Sequence, residues 1–288
     1  MITSENMKQL DQTLESFFNS KGLSMNWFDD LVKSEIEKTG GTTRESFVSV
    51  IKILSEYFEE NFDFKLPYTW GGGHPTSIDK DIFKNINRDY NHVDNSNINP
   101  NWGAQFNKEE LDQYMHSDGT IYTNYGPDCT GLIICALRAI GLPAFNKNAL
   151  NFRNGYANEK SNEMFVPIGD IYKFNKEQSV NNINEDLFED FYQIYNDNVY
   201  FGRPGDILHR PGHVMIITEV DEINGIFYTT EAKGGKHGVV RTKYNLLDLI
   251  NSERYCLINI SELIQNPIKM LEKYNLLEYK ENRNLKKL

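Results

Sequence analysis

The chain has three cysteines, Cys129, Cys135 and Cys256, and one of them sits where a thiol can react. Cys129 lies in Gly126-Pro127-Asp128-Cys129-Thr130-Gly131-Leu132, at the head of a dense apolar run that ends before Gly141 and Pro143. Pro127 and Asp128 read as the entry to a helix, Asp128 being a good N-cap type, so Cys129 falls in the first turn. Unpaired N–H groups and the positive end of the helix dipole favour a thiolate there, and the thiolate is the reactive form. The competing reading is a small buried residue. It suits Cys135, amid Ile133, Ile134, Ala136 and Leu137, and Cys256, beside Tyr255 and Leu257. An odd, sparse set argues against a disulfide framework.

A base for the thiol is found in Pro204-Gly205-Asp206-Ile207-Leu208-His209-Arg210-Pro211-Gly212-His213-Val214-Met215-Ile216-Ile217. His213 follows a Pro-Gly turn and opens an apolar strand, so its ring can face a neighbouring helix end. His209 and His213 are spaced like a metal pair on a helix, but Pro211-Gly212 between them forbids a regular helix. No acidic or thiol cluster completes a zinc set, and no metal or other cofactor is expected. His74, His92 and His116 lie in loops and read as exposed. If the next strand pairs back through a turn near Asn224-Gly225, Glu231 comes beside His213 and can orient the imidazole, the third role of a triad. The competing readings are a structural histidine at 213 and a solvated Glu231, with His237 the alternative third residue.

The elements that must position these residues are legible in outline. Residues 4 to 38 read as helical up to Gly40-Gly41, and Thr42 with Glu45 fits a capping box for a helix over about 43 to 60. Phe47, Val50, Ile51, Leu54 and Phe58 share one face of it. Residues 75 to 127, polar and rich in Asn, Asp and Gly, read as a long insertion whose aromatics either pack it onto the core or line a binding groove. A further helix is expected near Asp186 to Tyr195. Strands are expected over Val214 to Val220, Gly225 to Thr230, Gly238 to Lys243 and Tyr255 to Ile260, with a closing helix over 262 to 280. Helices first and strands second predict an α+β fold, a helical layer on an antiparallel sheet. The expected organisation is a helical extension over 1–41, a catalytic domain over 42–261 and a helical tail over 262–288.

Bulk properties narrow the partners. The 288 residues are 39% hydrophobic and 25% charged, an ordinary globular balance. A net charge of -11 repels phosphate backbones, which argues against nucleic acid. No block of Lys and Arg points to an anionic membrane, and no apolar run approaches the roughly 20 residues that span a bilayer. The N-terminus lacks the basic start and apolar core of a secretory signal, so a soluble protein is expected. Oligomeric state is not readable.

Tyr68-Thr69-Trp70-Gly71-Gly72, Asp128-Cys129-Thr130-Gly131-Leu132, and Pro204-Gly205-Asp206-Ile207 with Gly212-His213-Val214 together resemble the NlpC-type cell-wall cysteine peptidases, over roughly residues 45 to 260. The resemblance implies a papain-like fold and hydrolysis of peptidoglycan stem peptides, commonly after γ-linked D-glutamate. Cys129 then matches the nucleophile and His213 the base. Glu231 falls where the family has its third residue, usually His, Asn or Gln, and so departs from the pattern. Tyr68 and Trp70 match the segment lining the site. Asp128 matches a residue that helps bind the substrate end, and Thr130 stands where Ser is usual, its hydroxyl implied to serve the same purpose as a substrate-binding group.

The implied activity is that of a cysteine endopeptidase working through a thioester, as in a phage or mobile-element lysin, with a cytoplasmic recycling enzyme or a delivered toxin as alternatives. Two rival functions use the same residues. A thiol acyltransferase or amidase would form the same thioester and differ in its acceptor. A non-catalytic module would hold wall peptide without cutting it.

Overall fold

Thr43, one residue beyond the expected cap, starts the central helix. The computed structural model describes residues 14–68, 126–142, 156–158, 163–165, 170–173, 202–252 and 254–266. Two helices, α1 (Leu14–Ser20) and α2 (Met25–Lys38), lead to α3 (Arg44–Lys52). The Thr43 side chain accepts from Ser46 N at 3.0 Å, an N-cap bond to a backbone donor that the helix itself leaves unpaired. Thr42, expected in that role, instead donates to Ile140 O at 2.7 Å and ties α3 to the far end of the cysteine helix. Arg44–Lys52 continues through a π turn, Ile53–Tyr57, into α4 (Phe58–Phe62). The predicted apolar face is buried, with Phe47, Val50, Ile51, Leu54 and Phe58 all at 0 % exposure. In the π turn Ser55 is buried with its hydroxyl 3.1 Å from Thr230 Oγ1 on the sheet. Helical periodicity carries no mark of such a turn, because it inserts a residue without changing the residue types.

The cysteine helix, α5 (Cys129–Ala139), lies where the sequence places it. Leu132 through Leu137 have no exposed surface, so α5 is covered all round and is fixed by packing on every face.

A two-stranded ribbon pairs β1 (Tyr156–Asn158) with β2 (Glu163–Phe165). A second, six-stranded sheet has the order β3-β8-β4-β5-β6-β7, built from β3 (Asp170–Lys173), β4 (Ile207–Arg210), β5 (His213–Asp221), β6 (Ile226–Lys233), β7 (Gly238–Asn245) and β8 (Cys256–Asn259). All its pairings are antiparallel. The four strands expected from sequence are present, together with β3 and β4. The short helix α6 (Leu246–Asn251) follows β7, and α7 (Ser261–Gln265) follows β8. The fold is therefore α+β with helices on an antiparallel sheet. The expected insertion at 75–127, apart from residues 126 and 127, lies outside the described residues, as does the helix expected near 186 to 195.

Both faces of the sheet are buried, which explains the unbroken run Val214 to Ile217. Val214, Ile216, Ala232, Val239 and Ile258 face α3 and α5. Met215, Ile217, Phe227 and Leu257 face the other way and are covered by Leu246, Leu249 and Ile250 of α6. Leu14, Phe18, Phe28, Val32 and Ile36 of the first two helices belong to the same cluster as α5, and so do Leu263 and Ile264 of α7. The described helices that flank the expected catalytic domain thus share its core rather than forming separate units.

One charged side chain locks the helical layer to the sheet. Arg44 Nη1 meets Asp206 Oδ1 at 2.6 Å and Pro204 O at 3.0 Å, and Nη2 meets Asn259 Oδ1 at 3.1 Å and Ser261 Oγ at 2.6 Å. Asp206 is fully buried, and its second oxygen accepts from Arg203 N at 2.9 Å. Gly205, at φ 93°, leaves room for this: a Cβ there would come within 2.8 Å of Arg44 Cγ. Removing one partner strands the other charge in a site with little access to water. Asp206→Ala is expected to cost about 3 kcal/mol or more in urea unfolding, and replacing both residues by apolar ones less than the sum of the single losses. A loss below about 1 kcal/mol for Asp206→Ala, the level of an exposed pair, would contradict this role.

Candidate active site

Asp128 sets the entry to α5. Its Oδ1 accepts from Gly131 N at 2.6 Å and from Thr130 Oγ1 at 2.9 Å. Both side chains are buried, and both are engaged in the cap. These two residues, expected from the resemblance to bind substrate, form between them a turn that holds Cys129 in place.

Cys129 is partly exposed, whereas Cys135 and Cys256 are buried. The N–H groups of Val214, Thr130 and Cys129 itself bear on its sulfur and favour the anion. They are outweighed. Burial, then the neighbouring Asp128 carboxylate, pushes the thiol up to about 12. The expectation of a standing thiolate is therefore corrected: in this arrangement the helix end carries its own counter-charge, and Cys129 rests as a thiol. Cys135 is raised as well, mainly by burial.

The Val214 N–H belongs to the residue after His213, so the helix end and the mouth of β5 meet at this peptide. Pro211-Gly212 forms the tight turn between β4 and β5, with Gly212 at φ 78°. The β5–β6 register, Ile216 with Thr230 and Ile217 with Thr229, brings Glu231 near the start of β5. His213 Nε2 lies 2.6 Å from Glu231 Oε2. An ionised carboxylate only accepts, so Nε2 carries the hydrogen and Nδ1 is left as the basic nitrogen.

Glu231 has no exposed surface. Burial alone would raise its pKa. Hydrogen bonds from His213 and Thr242 and the charges of His213 and Lys233 outweigh burial and hold it at about 2. Lys233 Nζ lies 3.1 Å from Oε1, and the Tyr244 hydroxyl donates to the same oxygen at 3.1 Å. Burial, followed by the Glu231 charge, raises the Tyr244 phenol, so it stays a donor. Lys233 and Tyr244 were not singled out from sequence. The available signal is alternation: Lys233 is two residues from Glu231 on β6 and shares its face.

The chain leading up to Tyr68 is held beside this site. Val239 N donates to Leu66 O at 2.8 Å. Gly126 and Gly238, both at positive φ, flank the Leu66–Pro67 backbone: a Cβ would come within 1.8 Å of Pro67 O at Gly126, and within 2.3 Å of Leu66 O at Gly238. Only glycine permits this approach. The strap delivers Tyr68, half-buried against the same core cluster that Cys129 adjoins. Trp70 lies outside the described residues.

The structure thus brings the expected residues together unequally. His213 and Glu231 are hydrogen bonded, and Cys129 meets their strand through the Val214 N–H. Among the described residues no hydrogen bond joins the thiol to the imidazole. His237, the alternative third residue, is exposed in the turn Gly235–His237, and Glu231 holds the His213 nitrogen it would need. His209 lies on β4 with Nδ1 3.6 Å from Cys256 Sγ, apart from the His213 pair. Among the described residues no group of three or more His, Cys, Asp or Glu is placed to hold a metal ion. Comparisons with protein-family models, curated proteins and solved structures find no match for this chain.

Two outcomes follow from the electrostatics. The alkylation rate of Cys129, followed by peptide mapping of the reduced protein, is expected to keep climbing above pH 9. A plateau below pH 7 would mean a standing thiolate instead. Glu231 has a depressed pKa, so its contribution to stability is complete above about 4.5, the ordinary value, and is lost as pH falls towards about 2. The parent is expected to lose more stability than Glu231→Gln between these two pH values in urea unfolding; parallel losses would contradict it.

Proposed function

We propose that the protein is a cysteine hydrolase of papain-like, NlpC-type architecture that cleaves stem peptides of bacterial peptidoglycan. The chemical half of this reading is carried by one observation: a partly exposed thiol at a helix N-terminus lies against the peptide after His213, whose Nε2 is held by a buried carboxylate. The substrate half rests on the resemblance of the Tyr68, Cys129 and His213 segments to wall peptidases.

The geometry supports a particular order of events. Cys129 rests as a thiol, so its proton passes to His213 Nδ1 as the sulfur attacks the substrate carbonyl. This needs the imidazole to close on the thiol when substrate fills the site, as catalytic contacts often tighten only in the complex. Glu231 stabilises the imidazolium through Nε2. The Cys129 N–H, in the first turn of α5 and not one of the groups bonded to the Asp128 side chain, is a donor for the oxyanion. The imidazolium protonates the leaving amine, which departs and leaves a thioester. Water, deprotonated by the same nitrogen, then releases the acid.

The test is digestion of purified peptidoglycan by the reduced protein, with fragments read by mass spectrometry. New amines and stem-peptide fragments are expected, and Cys129→Ala is expected to lose the activity entirely. Glu231→Gln, which keeps the shape and loses the charge, is expected to lower kcat by ~10² or more with a smaller effect on KM. Transfer to an added amine without hydrolysis would replace the hydrolase by an acyltransferase. Binding without turnover, with undiminished affinity in Cys129→Ala, would replace it by a binding module.

A further inference from the structure

We propose that Lys233 is a positioning residue for this site: with Tyr244 it occupies one oxygen of the Glu231 carboxylate, so that only the other faces His213 and the imidazole sees a carboxylate already balanced by a cation. The inference rests on the proposed roles of His213 and Glu231. It deepens them by naming what sets the basicity of the histidine.

Four side chains engage the carboxylate, His213, Lys233, Tyr244 and Thr242. Oε2 is taken by His213 Nε2 at 2.6 Å. Oε1 receives Lys233 Nζ and the Tyr244 hydroxyl, each at 3.1 Å. Lys233 Nζ is fixed in turn by Thr242 Oγ1 at 3.2 Å. The Lys233 side chain is 36% exposed and Glu231 is 0% exposed, so the lysine spans from the rim to a carboxylate that water does not reach. A lysine on a sheet surface ordinarily stays extended into solvent. Here it turns back on its own strand.

The consequence for His213 is electrostatic. A buried carboxylate alone would hold the imidazolium strongly, making His213 a strong base but a reluctant acid towards the leaving amine. With Lys233 beside it the pair has no net charge, and the imidazolium gains only the polarity of the pair. Among the described residues, the groups facing Glu231 are His213 from β5, Lys233 on β6, and Thr242 and Tyr244 from β7; Arg210 of β4 is the cross-strand partner of His213 and, with Tyr255, acts in turn on Tyr244. Among the described residues, Lys233 is the one lysine or arginine that touches the carboxylate.

The experiment follows the His213 imidazole by NMR across pH in the intact protein, with the resonance assigned by its loss in His213→Gln. In Lys233→Met the titration of His213 is expected to move to higher pH by about one unit, while Lys233→Arg keeps it near the parent value. Tyr244→Phe is expected to move it the same way by less, and serves should Lys233→Met fail to fold. If wall cleavage is established, the acidic limb of kcat/KM should move with the NMR value, kcat falling more than KM. A folded Lys233→Met whose His213 titrates as in the parent overturns the proposal, as does an unmoved His213 in Tyr244→Phe should Lys233→Met not fold. Because the NMR readout needs no turnover, absence of wall cleavage would count against the hydrolase reading without touching this one.

Discussion

A helix buried on every side can reach polar partners only through its ends, and the architecture follows from how α5 meets that constraint. The side chains of α5 satisfy the apolar core; the free N–H groups at its start and the free carbonyls at its finish need partners of their own. At the start, Asp128 and Thr130 form a closed cap. At the finish, Thr42 donates to Ile140 O, so the loop that launches α3 also closes α5. Arg44, two residues on, reaches the turn before β4 and the end of β8. Helical layer and sheet are thereby fixed to one another from the end of α5 opposite the thiol.

The same constraint has a cost for reactivity. A carboxylate is an effective cap because it accepts strongly, but its charge lies beside Cys129 and opposes ionisation of the thiol. The cap and the desolvation from packing act in one direction, and three backbone N–H groups act in the other. The balance favours the neutral thiol, so under the proposed mechanism the nucleophile must be generated during attack, and that mechanism leans on the His213–Glu231 pair and whatever tunes it.

How much of this was legible depends on how far apart in sequence the deciding contacts lie. Asp128 as cap, Cys129 in the first turn and β5 opening at His213 are local facts, written in adjacent residues. The meeting of His213 and Glu231 needs one hairpin, and alternation with a short turn was enough to anticipate it. The Lys233 and Tyr244 contacts need the register of a third strand, and single-strand patterns do not give that. Arg44 with Asp206 is beyond reach for the same reason, since nothing near either residue marks the other. The thiol pKa was misjudged because dipole and cap are visible locally whereas burial is a property of the assembled core. The shift of the cap from Thr42 to Thr43 has a similar origin: two adjacent threonines are equivalent by type, and only Ile140 O, across the core, distinguishes them.

The two glycines at the Leu66–Pro67 strap carry a further meaning for the history of such a chain. Gly126 packs directly on Pro67, so the described stretch that ends at Tyr68 and the one that begins at Gly126 meet side by side. The join is pinned from both sides whatever lies between. Lengthening a loop whose ends already touch adds only about 0.6 kcal/mol of closure entropy per doubling. The position is thus a natural splice point, where segments of quite different size and recognition can be exchanged while Cys129 and its neighbours stay in register.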